Sequence, residues 1–234
     1  MASSSELTFG SRLANANTLV THLQSFKDYV AQTPDQSVVN VQAVITTITA
    51  QNTTTAGDKQ DFSTAVDLRQ KLFKKDKDSL IKLLSPIGSA VRSAFGKTSK
   101  EAANVAALIT KIRGEKVKKI PKEPTEETVS QSERSYGSIT LTFSDIIATV
   151  EKFGSKYNPA NEKVKLPGLT DKLAQLTTAN INVPMAYGKL QQSRDDRNDL
   201  YKNLTDITQR TKDAVKSQYT IGSTEYALIK GLKI

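Results

Sequence analysis

Apolar residues recur at steps of three and four along most of the chain, a spacing that keeps side chains on one face of an α-helix. This pattern predicts helices over about 7–31 and 37–52. The run Thr53–Gly57 is rich in residues typical of a loop, so we expect the second helix to end before it. The spacing of three and four continues beyond this run. Apolar and polar residues do not alternate strictly, as they would in a half-buried β-strand. We therefore expect an all-α fold.

Two further helices are predicted before the middle of the chain. The third begins near Asp58, a plausible N-cap, and Pro86 is expected to end or bend it. Gly96 is suited to cap its C-terminus. The fourth helix is expected to open with a capping box at Thr98–Glu101.

The same pattern occurs a second time. Tyr136–Ser138 matches Phe9–Ser11 at an offset of 127 positions, and after a longer loop the offset becomes 128. The apolar positions that match at 128 are Val38 with Leu166, Val41 with Leu169, Ile45 with Leu173 and Ile48 with Leu176. After Phe73 the offset falls to 124, so the second copy lacks four residues, about one helical turn, and its stripe stays in phase.

This repetition predicts a tandem duplication of an up-and-down, four-helix-like unit. The expected domains are a first repeat at 1–114, a basic, proline-containing linker at 115–130 and a second repeat at 131–234. Each repeat is expected to hold three long helices and a short fourth. At its end, Ala227–Ile229 matches Ala107–Ile109.

Composition narrows the class of protein. The chain has 234 residues, of which 37% are hydrophobic and 24% charged, values typical of a soluble globular protein. It has no cysteine, which excludes disulfides, thiolate metal sites and cysteine nucleophiles. No apolar run is long enough to span a membrane, and the N-terminus does not resemble a signal peptide. We expect a cytoplasmic protein without integral membrane insertion.

Positive charge is concentrated in one quarter of the chain. Residues 69–122 carry fifteen basic and four acidic side chains, whereas the whole chain has a net charge of +9. Such a basic patch could bind the phosphates of DNA or ribosomal RNA, although aromatic residues do not interleave with it. The candidate binding residues for nucleic acid or another partner are Lys71, Lys74, Lys75, Lys77, Lys82, Lys111, Arg113, Lys116, Lys118, Lys119 and Lys122.

The residues for catalysis are missing from the sequence. His22 is the only histidine, so neither a carboxylate–histidine di-metal site nor a hydrolase triad can be assembled in the usual way. Asp195 and Asp199 share a helix face, but the first repeat has Lys71 in place of Asp199, which favours local ion pairs. Arg69 and Arg197 are expected to make one Arg–Asp bond in each repeat. We predict no catalytic residue, no metal, no cofactor and no enzymatic activity.

The C-terminal residues carry a resemblance. Arg197, Leu200-Tyr201, Val215–Ser217, Gly222-Ser223 and Lys230–Lys233 resemble the ending of an uncharacterised family of bacterial helical proteins with no assigned activity. About the last 40 residues match best. The resemblance implies a bacterial origin and a helical fold.

These observations favour a non-enzymatic interaction, scaffold or assembly protein whose partner is another protein or a second copy of itself. A duplicated shape without a duplicated polar site is typical of a binding surface. The alternative is association with nucleic acid through the basic face of residues 69–122. Binding to an anionic membrane surface is the least favoured reading, because the patch lacks a bulky apolar face of its own.

Overall fold

The computed structural model describes residues 8–114 and 135–234, and the predicted linker at 115–130 lies outside these ranges. No β-strand occurs in the described part of the chain, so the prediction of an all-α fold is confirmed. The helices are α1 (Phe9–Ser25), α2 (Val38–Gln70), α3 (Leu80–Phe95), α4 (Lys100–Arg113), α5 (Tyr136–Glu151), α6 (Leu166–Tyr219) and α7 (Thr224–Ile229). Short 3₁₀ turns precede α2 and α6.

Helix α2 continues through the threonine-rich run, so the predicted loop at Thr53–Gly57 is wrong. The threonine hydroxyls donate to carbonyl oxygens four residues earlier, for example Thr53 to Thr49 at 3.2 Å and Thr54 to Ala50 at 3.2 Å. These side chains therefore bond to the helix that carries them, and their loop preference does not prevail.

In the first repeat, helical structure is interrupted at residues 76–79, directly after a π-helical turn at Lys71–Lys75. The predicted helix end at Pro86 is wrong, because α3 continues through this proline without interruption. Pro86 is exposed, whereas Leu84 and Ile87 beside it are fully buried and hold the helix in place.

Helix α6 is a single helix of 54 residues. In the first repeat the corresponding residues form α2, the interruption at 76–79 and α3. Helix α6 lacks the four residues by which the second repeat is shorter in the sequence comparison. The second repeat thus has two long helices and short α7, and the prediction of three long helices is wrong for it.

The helix ends match closely between the repeats. Gly96 caps α3 with a φ of 91°, as predicted, and Thr220 follows α6 with a φ of 76°. The N-cap of α4 is Ser99 rather than Thr98, and that of α7 is Ser223. Counted from these caps, Ala227–Ile229 corresponds to 103–105, so the sequence match with Ala107–Ile109 is displaced by about one turn.

Contacts divide the described residues into two compact units, and neither coincides with a repeat. Unit 1 combines the described part of Met1–Gln60 with Gly188–Ile234, and unit 2 is the described part of Asp61–Tyr187. Each unit therefore joins the first half of one repeat to the second half of the other. The predicted boundaries 1–114 and 131–234 rest on the sequence pattern, and they are not the boundaries of these units.

Each unit has its own apolar core. In unit 2, Phe73, Ile87, Phe143 and Leu169 belong to one cluster of buried side chains. In unit 1, α1 and α2 pack with the second part of α6 in one cluster, and α1, α6 and α7 form another. The apolar stripes at Val41–Ile48 and Leu169–Leu176 lie in these cores as the spacing predicted.

Candidate interaction surfaces

The basic residues predicted on the π-helical turn belong to unit 2, and most of them have partners. The Lys71 ammonium lies 2.8 Å from the Asp67 carboxylate, and that of Lys75 lies 3.4 Å from it. The two cations hold the pKa of Asp67 below its usual range, with the Lys71 hydrogen bond as the largest cause. The Lys74 ammonium lies 5.6 Å from the centre of the Tyr136 ring. These lysines thus have local structural roles.

The remaining described candidates are exposed. Lys77 lies in the break before α3, Lys82 on α3, and Lys111 and Arg113 at the end of α4. Arg113 donates to the Ser85 hydroxyl at 2.6 Å, which brings the end of α4 beside the start of α3. The candidates outside the described residues are Lys116, Lys118, Lys119 and Lys122.

The α3–α4 hairpin has a wider basic surface than the sequence pattern indicated. Residues 80–114 carry six basic side chains and one acidic side chain, Glu101. Three exposed members, Arg92, Lys97 and Lys100, fall between the two lysine clusters of the sequence and were not predicted. In unit 1 the corresponding residues 204–234 carry five basic and three acidic side chains, so the excess belongs to unit 2.

An exposed apolar surface lies on α5 and α6 of unit 2. We define it by Leu141, Ile181 and Met185, whose exposed fractions are 68%, 53% and 66%. Asn180 donates to the Thr140 hydroxyl at 3.0 Å, so the residues next to this pair are neighbours. Asn180 contacts the first turns of α5, whereas the end of α5 leads through a short connection to the start of α6, so the two helices run antiparallel. One step along each helix from this contact places Leu141 and Ile181 on the same side of the helix pair.

The counterparts of this apolar surface in unit 1 are small or polar. Leu141 corresponds to Ala14, Ile181 to Thr53 and Met185 to Gly57. All three counterparts are exposed as well. Sequence analysis missed the difference because the predicted loop interrupted the stripe that places these positions on one helix face.

An arginine stacks on an aromatic ring in each unit. The Arg197 guanidinium lies 4.3 Å from the centre of the Phe9 ring, and that of Arg69 lies 4.2 Å from the Tyr136 ring. In both arginines Nε is buried and lacks a hydrogen-bond partner in the described part of the chain. The predicted Arg–Asp bond is therefore wrong in kind: each guanidinium contacts a ring, and Asp67 contacts lysines.

The acidic run of α6 is solvated. Asp199 pairs with Lys202 at 2.8 Å, and Asp196 accepts a hydrogen bond from Gln192 at 2.8 Å. His22 is half-buried, and its ring stacks on Phe26 with 6.5 Å between the ring centres. Within 8–114 and 135–234, no group of three or more histidine, aspartate or glutamate side chains could hold a metal ion.

The most buried carboxylate in unit 1 is Asp58, with 4% of its side chain exposed. Its oxygen lies 2.9 Å from the Lys189 ammonium, which is 66% exposed. The Lys189 hydrogen bond first, and the Ser193 hydroxyl to a lesser extent, hold the pKa of Asp58 below its usual range. The carbonyl of Ser193 accepts hydrogen bonds from Thr55 and Gln51 at 3.1 and 3.0 Å.

Unit 1 also has an open groove of about 710 Å³ between α1 and α6. Arg12 lies along it, and its guanidinium donates to the Tyr201 carbonyl at 3.0 Å and to the Thr205 hydroxyl at 2.6 Å. The groove lining is Phe9, Arg12, Asn198, Tyr201, Lys202, Thr205, Asp206 and Gln209. Since Arg12 is bound within the protein, it serves packing between the helices.

No helix in the described ranges is both long and apolar enough to cross a membrane. Comparison with known proteins finds no matching protein-family model, no matching curated protein and no matching solved structure.

Proposed function

We propose that this chain is a cytoplasmic, non-enzymatic interaction or assembly protein that arose by tandem duplication of a helical repeat. The observation that carries the proposal is the apolar surface of unit 2. Three large apolar side chains are exposed together where the other repeat has Ala14, Thr53 and Gly57. Clustered exposed apolar residues are typical of surfaces that bind another protein.

The duplication is supported by contacts that recur at corresponding positions. Tyr29 donates to the Gln36 carbonyl at 3.1 Å, and Tyr157 donates to the Val164 carbonyl at 2.7 Å. Both pairs are related by the offset of 128. The polar side chains in these recurring contacts bind backbone carbonyls or aromatic rings. The two repeats therefore share contacts that maintain the fold. The resemblance of the C-terminal residues to a bacterial helical family accords with this proposal.

A photoreactive amino acid at position 181 of the full-length protein tests the proposal in the source cell. We expect it to capture a defined protein, and we expect the same amino acid at position 53 to capture none. Met185→Gly, which introduces the residue of the counterpart position, should reduce the capture from position 181. Equal capture from positions 181 and 53 would contradict an interaction role for this surface.

A second candidate function is association with nucleic acid through the α3–α4 hairpin. The observation that favours it is the ratio of six basic residues to one acidic residue over 80–114. Phosphate contacts release counterions, so each lysine that contacts a phosphate contributes about 0.9 to the slope of log affinity against log salt.

The full-length protein titrated with duplex DNA at several salt concentrations tests this candidate. Lys82→Ala combined with Lys97→Ala should lower the slope by about 2. Lys71→Ala combined with Lys75→Ala is the matched control, because these lysines pair with Asp67, and it should change the slope less. Absence of binding at low salt would exclude this function.

A further inference from the structure

Each compact unit is held by contacts between the two repeats. In unit 1, the rings of Phe9 and Tyr201 lie 4.5 Å apart, and the Tyr201 hydroxyl donates to the Phe9 carbonyl at 2.9 Å. Asn52 donates to the same hydroxyl at 3.0 Å. Phe9 and Asn52 belong to the first repeat, and Tyr201 belongs to the second.

The corresponding residues make the reciprocal contact in unit 2. Phe73 of the first repeat packs against Tyr136 of the second, with ring centres 4.8 Å apart. Asn180, the counterpart of Asn52, donates to the Tyr136 carbonyl at 3.3 Å. The ring pairs Phe26–Tyr219 in unit 1 and Phe95–Phe153 in unit 2 correspond in the same way. Their ring centres lie 5.9 and 4.8 Å apart.

We infer that the two repeats recognise each other through these contacts, in which the first half of one repeat packs against the second half of the other. The partner of one repeat is then a complementary repeat from the same chain or from a second copy of it. The inference rests on the repeat proposed above, and it concerns the buried contacts between the repeats rather than the exposed apolar surface that is proposed to bind another protein. The exchanged surface is large and apolar, since the buried cluster of unit 2 draws residues from both repeats. Recognition therefore does not depend on the covalent link between the repeats.

The pair Asp58–Lys189 makes this recognition specific. At the offset of 128, Lys189 corresponds to Asp61 of the first repeat, and Asp58 corresponds to Ala186 of the second. Two copies of the first repeat would therefore bring the buried Asp58 opposite another aspartate. Two copies of the second would place Lys189 opposite alanine. Only the mixed pair matches opposite charges, an arrangement that disfavours wrong partners.

The backbone contacts of Ser193 favour the same pairing. Thr55 and Gln51 of the first repeat donate to its carbonyl in unit 1. Their counterparts in the second repeat are Val183 and Ala179, which have no side-chain donor. A pair of second repeats would thus lose both hydrogen bonds to the Ser193 carbonyl.

The full-length protein with a protease recognition sequence inserted between Gly114 and Ser135 tests the inference. After cleavage we expect the two fragments to elute together, at the mass of the intact chain and with unchanged helical circular dichroism. Fragments that separate, or that lose their helical signal, would overturn the inference. That outcome would leave the capture experiment at position 181 intact, because the latter reports a partner outside the two repeats.

Exchange between copies is tested by mixing labelled and unlabelled cleaved protein, unfolding the mixture in urea and refolding it. Native mass spectrometry should show complexes of one first and one second fragment, with the labels redistributed. Abundant pairs of two first fragments would overturn the specificity assigned to Asp58 and Lys189.

Lys189→Ala and Lys202→Ala form a matched pair of variants on α6. Lys189→Ala removes the cation that pairs with the buried Asp58 carboxylate, so we expect the dissociation constant of the cleaved fragments to rise at least about tenfold. Lys202→Ala removes the partner of the exposed Asp199, and we expect a change below about threefold. Adding Asp58→Asn to Lys189→Ala should restore affinity, and equal effects of the two lysine variants would contradict the role of the pair.

Discussion

Unit 1 and unit 2 bury corresponding residues and expose different ones. Tyr201 and Phe73 are both 1% exposed, and each packs against the aromatic residue that begins the first helix of the opposite repeat. Outside the cores, unit 2 has the apolar surface and the basic hairpin. In unit 1 the counterparts of the three apolar residues are small or polar, and the counterpart of the hairpin has nearly balanced charge. The two units thus keep matched contacts in their cores and differ in the side chains that they expose.

Truncation of the matched aromatic residues should have the largest effect. Tyr201→Ala and Phe73→Ala each empty a fully buried site, and we expect each to lower the free energy of unfolding by about 3–5 kcal/mol. Urea denaturation followed by circular dichroism measures the loss. A cost below about 1 kcal/mol at one of the two sites would break the equivalence of the units.

The turns before α2 and α6 should respond differently to substitution. A Cβ atom on Gly168 would clash with the backbone oxygen of Glu162, so Gly168→Ala should destabilise the protein by about 1–3 kcal/mol. Its counterpart Asn40 donates to the Pro34 carbonyl at 2.6 Å, and Asn40→Ala should cost about 0.5–1.5 kcal/mol. Thermal denaturation of both variants compares them, and a neutral Gly168→Ala would refute the close approach.

The caps after α3 and α6 place different residues at a positive φ. Thr220 has a φ of 76°, a conformation in which a β-branched side chain is strained. We expect Thr220→Gly to raise the free energy of unfolding by about 0.5–1 kcal/mol and Gly96→Thr to lower it by about 1–2 kcal/mol. Denaturant titration should show these opposite signs, and a shared sign would mean that the two caps are not equivalent.

The matched tyrosines before the long helices should both titrate above the pH of free tyrosine. Burial raises the pKa of Tyr157 from 10.0 to about 12, and burial followed by the charge of Tyr219 raises that of Tyr29. A raised pKa favours the neutral phenol, so the stability that Tyr157 contributes is fully present below about pH 10 and is lost as the pH rises through about 12. Ultraviolet absorbance of Tyr29→Phe and Tyr157→Phe separates the two titrations. Ionisation of Tyr157 at the pH of free tyrosine would contradict its burial.

The sequence was informative about helices and less so about their ends. The spacing of Val41, Ile45 and Ile48 identified a buried helix face, because side chains share one face of a helix only when they recur with the period of the helix. The threonines of 53–57 misled, since their hydroxyls can bond within a helix as well as within a loop. The four missing residues after Phe73 correctly indicated a stripe that stays in phase, but not that α6 would be continuous.

The apolar pattern could not predict that each unit combines the first half of one repeat with the second half of the other. Both repeats carry nearly the same stripe, so pairing within a repeat and between repeats satisfies it equally well. Only polar details distinguish the two, above all Asp58 against Lys189, and they gain meaning once the partner helix is known. The same limit applies to the apolar surface, because an isolated leucine or methionine on a helix does not reveal its neighbours.

The division into units has a consequence for folding during synthesis. Unit 2 is one continuous stretch, Asp61–Tyr187, whereas unit 1 needs segments from both sides of it. On the ribosome, all residues of unit 2 are synthesised before any residue of Gly188–Ile234. Helix α1 and the start of α2 must therefore wait, without their core partners, until translation of α6 and α7 is finished. The second half of the second repeat thus acts on the nascent chain much as a late-binding partner would.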